Sequence, residues 1–315
     1  MPYKKIFEIA EKVSARGPCW TQGPGGNISE KKDNSLLIKA SGFRLDEICS
    51  QSAICRIETG PFLRQLFLLF QKDSLTEQAY ADLIKKSSQL SIVNKAGLRA
   101  SMETGFHALL QKTYVIHFHS CTAVLMAHQS AQNPEEWKQF CESNQDIRLE
   151  IVPFIKPGLE LCKYLYQAKS SSAYILANHG IILHTESPIS SLNRWLEFEL
   201  DFCNKFHYRI LYELLSKPIW SSKDWMKLEA SPWKIYFPDT AVFQKRISKI
   251  LRGDKLKSID FESWESDPCA SELWAATQLL HSICPELTSI EGNIAKTVAD
   301  LPTEKARQEI NLAGA

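Results

Sequence analysis

Two histidines one residue apart, His117 and His119, are the residues of this chain best placed to do chemistry. They lie in the run Tyr114-Val115-Ile116-His117-Phe118-His119-Ser120, whose β-branched and aromatic residues read as a strand. Residues two apart in a strand project to the same face, so both imidazoles can hold one metal ion. A third histidine, His179, stands in a similar setting, Ala173-Tyr174-Ile175-Leu176-Ala177-Asn178-His179-Gly180. Glu103 opens a predicted helix shortly before the pair. Three imidazoles, an open metal position and a nearby carboxylate are the parts needed for metal-assisted chemistry on a carbonyl. The expected cofactor is a divalent ion, with zinc favoured by the imidazole set and cobalt, manganese or iron as substitutes.

A second group of residues has the character of an anion cradle. In Gly23-Pro24-Gly25-Gly26-Asn27 the glycines let backbone N–H groups approach a ligand closely, and Asn27 adds a side-chain amide. This is no P-loop, because no Gly-Lys-Ser/Thr follows, and its spacing is wrong for a dinucleotide fingerprint. Ala40-Ser41-Gly42 and Ser101 offer more donors. Ser101 is the expected N-cap of a helix over 102–111, where free amides and the helix dipole favour a phosphate. His107 reads as a helix-face or core residue, and His128, His184, His207 and His281 have no partner pattern.

The elements that must position these groups alternate along the chain. Residues 3–15 read as a helix with Ile6, Ile9, Ala10 and Val13 on one stripe. Strands are expected at 28–30, 36–39, 53–57, 114–118, 147–152 and 174–176, with 181–183 as the second arm of a turn around His179-Gly180. Helices are expected near 62–71, 75–88, 120–128 and 158–168, and as one long helix over 188–215. Interleaved strands and helices over 1–215 predict a three-layer α/β/α domain. The tail changes character: 216–240 is rich in Trp and Pro, including Trp220, Trp225, Pro232 and Trp233. Short helical patterns then run through 241–315, broken at Gly253, Asp267-Pro268 and Pro302. We therefore expect a metal-binding domain over 1–240 and a helical extension over 241–315, with its tryptophans packed at a subunit interface.

Bulk properties exclude several classes. Among 315 residues, 37 basic and 36 acidic side chains leave a formal charge of +1, which makes no electrostatic case for nucleic acid or an anionic membrane. Nine scattered cysteines, including Cys49, are never spaced C-x-x-C, so neither a disulfide framework nor a thiolate zinc site is expected. Reduced, mostly buried thiols, a mixed N-terminus without a signal-peptide core and no long apolar run lead to the expectation of a cytoplasmic protein.

Five ordered motifs carry a resemblance. Gly25-Gly26-Asn27-Ile28-Ser29, Lys39-Ala40-Ser41-Gly42, Ser101-Met102-Glu103, His117-Phe118-His119 and Asn178-His179-Gly180 occur in the order seen in the class II aldolase/adducin family. Glu103-Thr104-Gly105-Phe106-His107-Ala108-Leu109-Leu110 and Tyr236-Phe237-Pro238-Asp239-Thr240-Ala241-Val242-Phe243 resemble its longer branch. That branch includes the aldolase half of bifunctional rhamnulose-phosphate aldolase/dehydrogenase proteins. The resemblance covers roughly residues 5–243.

The resemblance implies a central, mainly antiparallel sheet between helical layers, assembled as a homotetramer or other homo-oligomer. It implies His117, His119 and His179 as ligands of a metal, usually zinc, and Glu103 as the catalytic acid and base. It places a sugar phosphate against Gly26, Asn27, Ser41, Gly42 and Ser101. Two departures stand out: Met102 replaces a second serine before the glutamate, and Lys39 stands where the shorter aldolases often carry Thr. Lys39 either compensates as a phosphate cation or points to solvent. The implied activity is reversible cleavage of a ketose 1-phosphate to dihydroxyacetone phosphate and an aldehyde. The same scaffold also serves pentulose-phosphate 4-epimerases, dehydratases and decarboxylases, and adducin keeps it as a non-catalytic module without the metal histidines.

Overall fold

The strand carrying the histidine pair is the middle of the molecule. In a computed structural model, which describes residues 3–48, 53–72, 76–90, 97–168, 171–221, 225, 234–250 and 266–313, seven strands form one sheet. Cys49, Pro232, Trp233 and Gly253 lie outside the described residues. The strands are β1 (Asn27–Lys32), β2 (Ser35–Lys39), β3 (Ile54–Glu58), β4 (Tyr114–Phe118), β5 (Leu149–Val152), β6 (Ala173–Leu176) and β7 (Gly180–Thr185). Their order is β3-β2-β1-β4-β7-β6-β5, and β5–β6 is the one parallel pair in it. β4 therefore lies between β1 and β7, with His117 opposite Asn27 on one side and Ile182 on the other.

Both faces of the sheet are buried, for the reason the alternation in β4 gives. Ile116 and Phe118 point into one apolar cluster and Val115 into the other. The first cluster takes α1 (Lys4–Ser14), α5 (Cys121–Gln132), α8 (Pro188–Lys205) and α9 (Arg209–Ser216). Ile6, Ile9, Ala10 and Val13 form the buried stripe of α1, as their spacing predicts. The second cluster takes α2 (Thr59–Phe70), α3 (Glu77–Leu90), α4 (Thr104–Leu109) and α7 (Leu159–Gln167), through Phe62, Leu66, Tyr80, Phe106 and Leu159 among others. Helices on two faces of a mostly antiparallel sheet give the α/β layering expected.

Three local features depart from the expected pattern. The long helix over 188–215 is two helices, because His207 takes a left-handed backbone, φ 61°, between Lys205 and Arg209. The periodicity hides this break: Phe202, Tyr208, Leu211 and Leu215 all enter the same cluster on either side of it. A helix α6 (Pro134–Glu142) also forms, with Pro134 at its first turn and Glu135 and Glu136 against the positive dipole end. The third correction concerns Ser101. α4 begins at Thr104 with Glu103 at its N-cap, and the Ser101 hydroxyl instead accepts from the Glu103 N–H at 3.2 Å.

The chain past residue 235 continues as α10 (Pro238–Val242), α11 (Gln244–Ile250), α12 (Pro268–Ile283), α13 (Gly292–Ala299) and α14 (Pro302–Ala313). α12 is buried from Cys269 to Leu280, and Leu273, Trp274, Leu279 and Leu280 belong to the first cluster. A helix apolar on all sides must sit inside a core. The described tail tryptophans serve that core rather than an outer face: Trp225 and Trp274 are buried within the chain, and Trp220 packs against it. All eight described cysteines are free thiols. Among the described residues no helix is long and apolar enough to cross a membrane.

Candidate metal centre

His117 and His119 leave the end of β4 on the same side, and the β6–β7 turn brings His179 against them. Asn178 makes that turn with a left-handed backbone, φ 51°, which its short polar side chain tolerates. Gly180 follows because a Cβ there would lie 2.2 Å from the Phe118 carbonyl oxygen. The three imidazole rings are 4.7–5.1 Å apart, and their ligand atoms lie within 4.8 Å of one another.

The donor set fits a metal ion. The Nδ1–H of His117 donates to the Ile181 carbonyl at 2.9 Å, which turns the lone pair of its Nε2 toward the cluster. Burial disfavours the charged form of His119 and His179 and holds both well below the usual imidazole range, so each is the neutral ligand form. His119 has a carboxylate behind it: Asp239 Oδ2 lies 3.8 Å from its Nδ1. Gly25 packs on that pair, since a Cβ would sit 2.6 Å from His119 Nδ1 and 2.7 Å from Asp239 Oδ2. Gln22 Nε2 donates to the His119 carbonyl at 2.9 Å and so ties the glycine loop to the centre.

Glu103 is the acid at this centre. Its Oε1 lies 3.0 Å from His117 Nε2 and 3.7 Å from His179 Nε2. Burial opposes its charge, but the neighbouring His117 ring outweighs burial and holds the carboxyl below its usual range. It is therefore an ionised carboxylate at neutral pH, able to accept a proton.

A narrow pocket opens beside Glu103, His119 and His179. Gly26, Ser41, Gly42 and Ser101 line it, and Ala40 bridges to Ala100 so that the two donor loops adjoin. Asn27 sits behind, fully buried; its Oδ1 accepts from the Ile28 N–H at 2.9 Å, and its Nδ2 has no partner among the described residues. Lys39 resolves in favour of the pocket rather than solvent. Its Nζ donates to the carbonyls of Phe43 at 2.7 Å and Pro24 at 3.3 Å, and burial pushes its pKa down to about 8. His107 stays apart, with its Nδ1 2.7 Å from the Ser29 hydroxyl and its ring stacked on Phe106.

Several pocket residues are given no role by the sequence motifs. Asp239, Glu304 and Arg307 line it from the far end of the chain, and Arg99 from the loop before Ser101. Glu272 of α12 accepts from the Gly23 N–H at 2.8 Å and from both terminal nitrogens of Arg44 at 2.7 and 2.9 Å. Its signal is visible in the sequence: it is the one charged residue between Pro268 and Leu280, and a lone acid in an apolar helix needs a partner.

The family model described as "Class II Aldolase and Adducin N-terminal domain" matches residues 4–200. No curated protein matches the chain. Among solved structures, the N-terminal class II aldolase domain of a Thermoplasma acidophilum protein is similar at 20% identity, over 65% of this chain and 93% of that one, with a TM-score of 0.52. An L-fuculose-1-phosphate aldolase from Thermus thermophilus is 14% identical over 67% of this chain and 95% of its own, with a TM-score of 0.44. These likenesses concern the fold.

Proposed function

The chain belongs to the class II aldolase and adducin N-terminal domain family, and on that premise we propose that it is a metal-dependent sugar-phosphate aldolase. The reaction we assign is reversible cleavage of a ketose 1-phosphate to dihydroxyacetone phosphate and an aldehyde. The observation that carries this reading is the convergence of three buried imidazoles on one point with an ionised Glu103 beside them. A non-catalytic module has no use for that arrangement, because function lives in the site rather than the fold.

His117, His119 and His179 are the residues that would hold the ion, which we take to be zinc. A divalent ion there supplies Lewis acidity to a carbonyl and its neighbouring hydroxyl and steadies the negative charge that develops during cleavage. Everything else falls to side chains of this chain. His117 is locked by Ile181, and His119 is backed by Asp239, so neither ring has to reorient during turnover. Glu103 moves a proton on and off the carbon next to the carbonyl as the C–C bond breaks or forms. Ser41, Gly42, Ser101 and Lys39 face the same pocket and receive the phosphate. We further assign the enzyme as a homo-oligomer.

The test is a panel of ketose 1-phosphates offered to the zinc-loaded protein, with release of dihydroxyacetone phosphate and aldehyde as the readout. Cleavage that stops on chelation and returns with zinc is the expected result. Consumption of substrate without aldehyde would move the assignment to an epimerase, dehydratase or decarboxylase.

A further inference from the structure

The charges in the pocket are the starting point. Three cations line it, Lys39, Arg99 and Arg307, and three carboxylates, Glu103, Asp239 and Glu304. Their formal charges cancel, so a divalent ion would leave a surplus of two positive charges, the complement of a phosphate monoester dianion. Not every cation is equally available to meet it. Lys39 already spends two of its three donors on the Pro24 and Phe43 carbonyls. Arg99 donates to Ser41 Oγ at 3.3 Å and to the Thr303 carbonyl at 2.8 Å.

Arg307 differs from both. It comes from α14, outside the segment the family model matches. One nitrogen, Nη2, is pinned by Asp239 and by Glu304 Oε2 at 2.7 Å, and the guanidinium lies over the Phe243 ring at 5.3 Å. These contacts fix the plane of the group, yet its buried Nε has no hydrogen-bond partner among the described residues. A planar, permanently charged group held by these contacts at the pocket wall is suited to a phosphate. The same helix brings Thr303, whose hydroxyl lies 3.8 Å from the Met102 sulfur. Met102 itself offers the pocket no donor, and the Thr303 hydroxyl hydrogen is turned to its sulfur.

We propose that Arg307 binds the phosphate group of the substrate, so that the C-terminal helix α14 completes the anion end of the site. The proposal rests on the aldolase reading for the identity of the substrate, and the experiment separates the two. Wild type, R307A and R307K, each zinc-loaded, are assayed for exchange of the α-proton of dihydroxyacetone phosphate and of unphosphorylated dihydroxyacetone. The ratio of kcat/KM for the phosphorylated to the unphosphorylated donor should fall about tenfold or more in R307A and less in R307K. Damage to the metal centre through Asp239 would lower both activities and leave the ratio intact, and an intact ratio overturns the proposal. If wild type exchanges neither donor, the aldolase reading fails and inorganic phosphate becomes the probe, titrated calorimetrically into wild type and R307A. Weaker phosphate binding in R307A then upholds Arg307 as the anion ligand; equal binding overturns it.

Discussion

The metal corner and the anion wall of the pocket are built in opposite ways. The corner is made by backbone: two histidines in register at the end of β4 and a third on the turn into β7, all within 63 residues. Strand geometry alone aims the first two at one point. The wall is made by side chains gathered from loops and helices far apart in sequence, with Arg99 and Arg307 more than two hundred residues from one another. Ion pairs hold it: Arg307 to the distant Asp239 and to Glu304 on its own helix, with Arg44 and Glu272 pairing behind the glycine loop. A corner fixed by hydrogen-bonded strands depends on few side chains outside its own ligands, Asp239 behind His119 among them. A wall fixed by charges responds to the loss of any one of them, because each buried ion relies on its partner.

Predictions that break or sharpen this contrast can be ordered by size. The largest is Glu103→Gln, which should lower turnover about 10²–10⁴-fold while the zinc content stays at the wild-type level. Full activity in that variant would remove Glu103 from the chemistry. Next is Glu272→Ala, which leaves Arg44 with Asp46 alone and frees the Gly23 amide; chemical denaturation should show a loss of about 2 kcal/mol. A loss under about 0.5 kcal/mol would mean the wall does not depend on its ion pairs. Asp239→Ala touches both regions, since Asp239 lies between His119 and Arg307. Zinc affinity should drop about 10–100-fold, measured by competition with a chromophoric chelator. Unchanged affinity would show that the corner stands without the wall.

The smallest effect is the pH response of the wall. Lys39 is charged below its pKa of about 8 and neutral above it, so the cation is lost as pH rises. KM for the phosphorylated substrate should be flat below about pH 8 and rise above it, by at most about tenfold per pH unit for one titrating group. A Lys39→Arg variant should push that rise to higher pH, because an arginine keeps its charge. A profile that does not move would take Lys39 out of phosphate binding.

What is legible in the sequence follows the same division. The His117/His119 pair, the Asn178-His179-Gly180 turn and the α1 stripe are local patterns, and local patterns fix which way a side chain points. Glu103 is found by its nearness to the pair, but Ser101 is not the helix cap its position suggests, because the first turn of α4 starts three residues later. The two-helix break at His207 is invisible, since apolar residues continue in phase across it. Asp239 lies inside a family-like motif that attaches no role to it. Arg307 sits in a mixed, charged helix whose sequence gives no hint of what it faces; only the packing of α14 against the pocket reveals it. Lys39 has two readings at the level of sequence, because an alternating strand pattern cannot say whether a lysine at its end is covered by a distant loop.

The claim on which the rest depends is that His117, His119 and His179 hold one divalent ion. Metal analysis of the purified protein, after incubation with zinc and desalting, beside a His119→Ala variant treated alike, tests it most directly. The account predicts about one ion per chain in the wild type and a near-complete loss in the variant. A wild type that takes up no zinc, or a variant that binds it equally well, would contradict the metal centre and with it the aldolase assignment.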